Sequence, residues 1–311
     1  MSQASKPSEL RQFLGPRFWP TWLTYGLIWL LAHLPYRLQL WIGRGIGLLA
    51  LCFARRRRHI CRTNLALCFP ELDAPALRRL LRDTFMANGI GIMEVGLGWC
   101  RKPADFAHFM DVTGLEHLQQ AQALGRGVLL VSAHFSTMEF AGNLISNQTT
   151  LQAMYRPHKN PLLDALMKRG RLRAFGALYE RKDVRGALRA LKQGEILWYA
   201  PDQDYGTRHS VFVKFFGVTA ATITATSKFA SYNQSPVVFV AHYRKADNSG
   251  YSFHFSPALD NYPSGDDAAD AQRINDLIEA AIRRHPEQYI WLHRRFKTRP
   301  PGEPDVYRRE Q

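Results

Sequence analysis

The sequence predicts an α/β fold, a sheet flanked by helices, with a hydrophobic helical region ahead of it. Three observations carry that expectation. From Gly114 onward, continuous apolar runs of strand length such as Gly127–Ala133 recur between helical segments. Strands that are apolar on every residue are buried on both faces, as in parallel sheets. Before them, Asn64–Trp99 has helical periodicity, and Trp19–Phe53 is apolar and aromatic.

Composition bounds the rest. At 311 residues the chain is long enough for a sizeable core in one or two domains. It is 46% hydrophobic with seven Trp, which excludes a disordered chain. Its 22% of charged residues exclude a many-span transporter. Forty-one Lys and Arg against 26 Asp and Glu leave +15, which calls for an anionic partner. The four cysteines, Cys52, Cys61, Cys68 and Cys100, form no CxxC pair, so we expect buried thiols in place of a metal site or disulfides.

Three segments follow: a tail at 1–18, a membrane-anchoring or interfacial region at 19–54, and the main domain at 55–311. The run from Trp19 to Leu34 ends at Pro35, and Leu38–Phe53 carries Arg44. A membrane span needs about 20 apolar residues, so a tilted or interfacial anchor competes with a helical pair packed inside the domain. Arg55–Arg58 immediately follows and favours the anchor, since cations flanking a span prefer the cytoplasmic side. Trp19, Trp22 and Tyr25 would then sit at headgroup level. A cleaved signal peptide fits poorly, because no small-residue cleavage site follows. Asp73, with Pro75 behind it, predicts the N-cap of the next helix. Gly89, Gly91, Gly96 and Gly98 predict close helix packing within it.

The chemistry concentrates at strand exits, where open α/β sheets place their sites. Gly127–Ala133 exits into His134-Phe-Ser-Thr-Met-Glu139. A neutral imidazole there can take a proton, and Glu139 could accept its other N–H if His134 precedes the helix and Glu139 lies in the first turn. Ser136 and Glu139 equally form a capping box, so both readings stand. Glu195–Ala200 is a second buried strand, exiting into Asp202, Gln203 and Asp204, with the two Asp as candidate orienters of Arg side chains or as parts of a turn. Arg156 suits bidentate phosphate or carboxylate recognition, whereas Arg169 and Arg173 read as an exposed basic helix. Ser210–Gly217 either lines an apolar pocket or joins the core. Strands at Pro236–Tyr243 and Tyr251–Pro257 and a helix at Asp266–His285 complete the sheet. A short buried strand at Gln288–Leu292 is expected before the cationic patch with Arg294 and Arg295. The aromatics lie mainly in apolar runs, which argues against nucleic acid.

Together the segments Asn64–Glu71, His134–Glu139, Tyr155–Pro157, Trp198–Gly206, Ser210–Val213 and Trp291–Pro300 resemble the lipid A biosynthesis lauroyl/myristoyl acyltransferase family, most closely its lauroyl type. The resemblance runs from Asn64 to Pro300 in the family's order. It implies a glycerol-3-phosphate acyltransferase-like fold at the cytoplasmic face of the inner membrane, held by a single N-terminal anchor. It implies transfer of an acyl group from acyl carrier protein to the 3-hydroxyl of an acyl chain on Kdo2-lipid IVA, without metal or other cofactor. On this reading His134 is the base and Glu139 its partner. Arg156 meets an acceptor phosphate or the oxyanion, the Arg294–Arg295 patch assists, and Asp202, Gln203 and Asp204 help form the substrate site. Lys214 departs from the family's usual Pro, and Gly217–Thr224 keeps only its small-residue character. A related acyltransferase with a glycerophospholipid or other glycolipid acceptor, and a non-catalytic basic membrane-binding protein, are the alternatives.

Overall fold

The computed structural model describes residues 7–308. Helices come first: α1 (Trp19–Ala32), α2 (Tyr36–Phe53), α3 (Arg55–Cys68) and α4 (Ala74–Cys100). Next follow β1 (Met110–Thr113), α5 (Leu115–Ala123), β2 (Val128–Val131), α6 (Met138–Ile145), β3 (Leu151–Tyr155), α7 (Pro161–Arg171) and β4 (Phe175–Glu180). After α8 (Val184–Lys192) and β5 (Ile196–Tyr199) comes a hairpin, β6 (Ser210–Phe215) and β7 (Val218–Ile223). The chain ends through α9 (Ala225–Asn233), β8 (Val237–Arg244), β9 (Tyr251–Phe255) and α10 (Asp267–Arg284).

Seven strands form one sheet in the order β1-β9-β8-β2-β5-β3-β4. β8, β2, β5, β3 and β4 run parallel, and β9 is antiparallel to β8. β2 is buried at every residue, as its apolar run predicts. Alternation along that strand splits the core in two. Leu129 and Val131 face a cluster with α8, α9 and α10, while Val128 and Leu130 face one with α5 and α6.

The glycines of α4 let helices touch. A Cβ at Gly89 would lie 2.1 Å from the Gly43 carbonyl oxygen and 2.5 Å from Gly47 N, so α2 and α4 meet backbone to backbone. Asp73 caps α4 by accepting from Ala76 N–H at 2.7 Å.

The N-terminal region is broken into successive helices. Pro35 separates α1 from α2, and among the described residues no single helix is long and apolar enough to cross a membrane, although α2 and α3 taken together are. α2 and α3 are bent by 95° where they meet. One side of the helical pair packs on α4, while Leu23, Leu27, Trp29, Trp41, Leu49 and Phe53 stay exposed on the other. Of the three proposed belt residues only Trp19 is exposed. Trp22 donates to the Phe13 carbonyl at 2.8 Å, and Tyr25 packs beside Trp99 and Cys100. The tail is docked too: Leu10 and Phe13 pack with Leu162 and Leu166 of α7, while residues 1–6 lie outside the described residues.

Two smaller expectations also shift. Gln288–Leu292 is no strand; a 3-10 turn at Pro286–Gln288 leads to a single bridge between Tyr289 and Phe135. Cys61, Cys68 and Cys100 are buried but Cys52 is exposed on α2. Ser210–Gly217 joins the core through Phe215, and Lys214 sits within β6, its N–H donating to Gln272 at 2.8 Å.

Candidate active site

Strand pairing builds the site. β2 and β5 are adjacent and parallel with Val131 opposite Tyr199. His134 and Asp202 each follow three residues later, so the two exit loops deliver them side by side. Asp202 Oδ1 lies 2.6 Å from His134 Nδ1, and Asp202 Oδ2 accepts from the His134 backbone N–H at 3.0 Å. Tyr289 O–H donates to the same Oδ2 at 2.8 Å. Asp202 is 1% exposed and the His134 side chain 18%.

The electrostatics follow from that contact. Burial opposes an Asp202 carboxylate, but the charge of His134 and hydrogen bonds from His134 and Tyr289 outweigh it, holding the group down to about 2. Burial likewise opposes the imidazolium, yet Asp202's charge and hydrogen bond carry His134 above its ordinary value. An ionised Asp202 can only accept, so neutral His134 carries its proton on Nδ1 and keeps a lone pair on Nε2.

Glu139 is not His134's partner. It lies in the first turn of α6, where Arg171, the last residue of α7, grips it from Nε at 2.7 Å and Nη2 at 2.6 Å. Trp99 Nε1–H donates to it at 2.7 Å, so Glu139 ties α4, α6 and α7 together. Burial raises its proton affinity, but Arg171 prevails and its carboxyl stays below the usual range. Nor does the capping box form. Thr137 occupies the N-cap without a side-chain cap bond, its hydroxyl turned to His242 Nδ1 at 2.8 Å.

His134, Glu139 and Arg171 open on a cavity of about 1570 Å³. Met138, Met167, Phe175, Trp198, Leu188 and Phe229 supply apolar wall. Arg156, Lys159, Arg181, Lys182, Arg208 and Lys228 supply cations, against Glu139 and Asp204 as the only carboxylates in the lining among the described residues. An amphipathic anion with a hydrocarbon tail matches that division.

The other expected site residues separate. Arg156 and Gln203 line the cavity. Asp202 is buried on His134 and orients a histidine, not an arginine. Asp204 accepts from Thr298 N–H at 2.6 Å and Thr298 O–H at 2.8 Å, fastening the β5 exit loop to the C-terminal segment. Arg295 is 2% exposed and donates to the Ala221 carbonyl and the Thr222 hydroxyl, both at 2.8 Å, so it is part of the core. Arg294 pairs with Asp305 at 2.8 Å in a separate small cleft with Arg56 and His59. Both are corrected as substrate contacts: one faces inward, the other away.

Three residues with no role in the sequence reading enter here. Arg171 lies between Arg169 and Arg173 in sequence, and its position at the end of α7 is what brings it to Glu139. Tyr289 lies just before the Trp291–Pro300 segment and His293 within it. The His293 ring, on the cavity wall, stands 6.1 Å from that of His134.

Comparison with known proteins gives the family. The family model for bacterial lipid A biosynthesis acyltransferases matches residues 6–298. The chain is 43% identical over 302 residues to a lipid A biosynthesis lauroyltransferase of Escherichia coli K12, covering 97% of this chain and 99% of that one. It is 40% identical over 298 residues to the palmitoleoyltransferase of the same organism, covering 96% and 97%. A lipid A biosynthesis acyltransferase of Haemophilus influenzae is 37% identical over 304 residues, covering 96% and 97%. The chain belongs to the bacterial lipid A biosynthesis acyltransferase family.

Proposed function

We propose that this acyltransferase moves a fatty acyl group from an acyl carrier protein thioester to the 3-hydroxyl of an acyl chain on Kdo2-lipid IVA. The observation that carries the reading is His134 Nε2, left free by Asp202, on a cavity that is apolar in part and cationic in part. Nε2 takes the proton of the acceptor hydroxyl as its oxygen attacks the thioester carbonyl. Asp202 stabilises the imidazolium. The C–S bond then breaks, the thiolate departs, and the proton on His134 neutralises it. Thiols ionise near pH 8.5, so the leaving group needs little help. Among the described residues the cavity lining contains no cysteine or serine, which supports direct transfer without an acyl-enzyme. Arg156 and its neighbours meet the acceptor phosphates or the oxyanion.

On the same reading the fold is akin to that of the glycerol-3-phosphate acyltransferases, and the enzyme works at the cytoplasmic face of the inner membrane. The exposed apolar side of α1 and α2 lies in the bilayer interface, as amphipathic helices do. Arg55 and Arg56, exposed at the start of α3, meet anionic headgroups. Relatives named for lauroyl and palmitoleoyl transfer stand at similar identity, 43% and 40%.

The test is a transfer assay with a ladder of carrier-protein thioesters and a bisphosphorylated lipid acceptor. We expect acylation of that acceptor, and His134→Ala to lose on the order of 10²–10⁴ in turnover. Full activity in His134→Ala would overturn the mechanism. Acylation of glycerophospholipid alone would overturn the acceptor.

A further inference from the structure

We propose that the exposed face of α8, with the turn before it, is the surface on which the acidic carrier protein docks to deliver its thioester. The inference rests on the donor assigned above. Arg185, Arg189 and Lys192 recur at i, i+4 and i+7, so they share one face of α8. All three are exposed, while Gly186, Ala187, Ala190 and Leu191 hold the opposite face in the core. Arg181 and Lys182, just ahead of the helix, are exposed and line the cavity. The row of cations therefore runs up to the rim of the site.

Helix stability does not account for this row. Cations are favoured at a helix C-terminus, which covers Arg189 and Lys192, but disfavoured at the N-terminus, where Arg181, Lys182 and Arg185 stand. Local carboxylates do not neutralise them either. Asp183 caps the helix through Gly186 N–H at 2.9 Å, and Glu195 accepts from Gln152 at 2.9 Å. None of the five cations forms an ion pair among the described residues. Val184, 43% exposed at the first turn, offers an apolar contact beside them.

Position favours a protein over the bilayer as occupant. α8 makes its main contacts with α9, β4 and β5, whereas α1 and α2 make theirs with α4. Lipid would thus enter past α1 and α4 while the carrier stands on α8, and the two need not compete. An unneutralised cationic stripe steers an acidic partner and sets its register.

The triple variant Arg185→Glu/Arg189→Glu/Lys192→Glu tests this, since all three residues lie outside the cavity lining. Its folding is checked by thermal melting. With the carrier-protein thioester, KM should rise on the order of tenfold or more, with a weaker salt dependence. With acyl-coenzyme A, which lacks a protein surface, kcat/KM should match wild type. A carrier with reversed charges on its acidic face should restore the variant. Unchanged KM for the carrier thioester, or equal loss with both donors, overturns the docking surface. So does loss of binding to anionic vesicles in the variant, which would assign the stripe to the bilayer. Wild type that uses acyl-coenzyme A but not the carrier thioester overturns the donor assignment itself.

Discussion

Asp202 reaches His134 at 2.6 Å although 68 residues separate them, because β2 and β5 pair in a register that sets both exits level. That contact fixes the tautomer and leaves Nε2 toward the cavity. Asp202→Asn keeps the size but removes the charge. Turnover should fall by about 10²–10⁴. Asp202 raises His134 above its ordinary 6.5, so in wild type the base is protonated, and the rate lost, as pH falls through a value above 6.5. Without that charge the acid limb of kcat/KM should move to lower pH, even as its plateau drops. A pH–rate profile of the two proteins checks the sign.

Glu139 makes a different prediction, because it is held by Arg171 and Trp99. In Glu139→Gln the Trp99 donor keeps an acceptor while Arg171 loses its counter-charge within a half-buried site. Removing one partner of a buried pair costs about 3–5 kcal/mol, and the 12% exposure of Glu139 and 19% of Arg171 place this pair toward the low end. Melting temperature and turnover should both fall, while the acid limb stays where it is. A shifted acid limb would mean that Glu139 acts on His134 after all.

Arg156 and Arg295 should part company in the same assay. Arg156→Ala, at an exposed cavity position, should raise KM for the bisphosphorylated acceptor and leave the melting temperature unchanged. Arg295→Met removes donors from the Ala221 carbonyl and the Thr222 hydroxyl in the core. Thr222 keeps its bond from Asn275 at 3.1 Å, so the loss falls on the Ala221 carbonyl and costs about 1–3 kcal/mol, which urea denaturation should show before any change in acceptor KM.

The helix contact at Gly89 gives a prediction about stability alone. Gly89→Ala forces a methyl against the Gly43 and Gly47 backbones, which cannot rotate away, so about 2 kcal/mol or more should be lost. Gly45→Ala, on α2 with nothing within 4 Å of the added Cβ, should be neutral or stabilising by up to about 1 kcal/mol. Denaturant midpoints of the pair separate close approach from helix propensity.

Much of the fold is legible in the sequence alone. The apolar runs around Val128–Val131 and Ile196–Tyr199 identify buried strands, and the glycines of α4 announce a close helical contact, since only a missing Cβ admits one. His134 was legible too, as a titratable group at a strand exit. Its partner was not. Glu139 is five residues away and Asp202 sixty-eight, and local spacing favours the nearer carboxylate. The same limit hid the difference between Arg156 and Arg295, since an arginine looks alike in sequence whether it faces a cavity or a carbonyl. The +15 balance implied an anionic partner but not where it binds. Periodicity, capping and composition act within one segment, so the chain's order alone carries them. Strand register, the pairing of carboxylates with cations, and the side of the sheet a helix covers depend on contacts between distant segments, which exist only once the chain has folded.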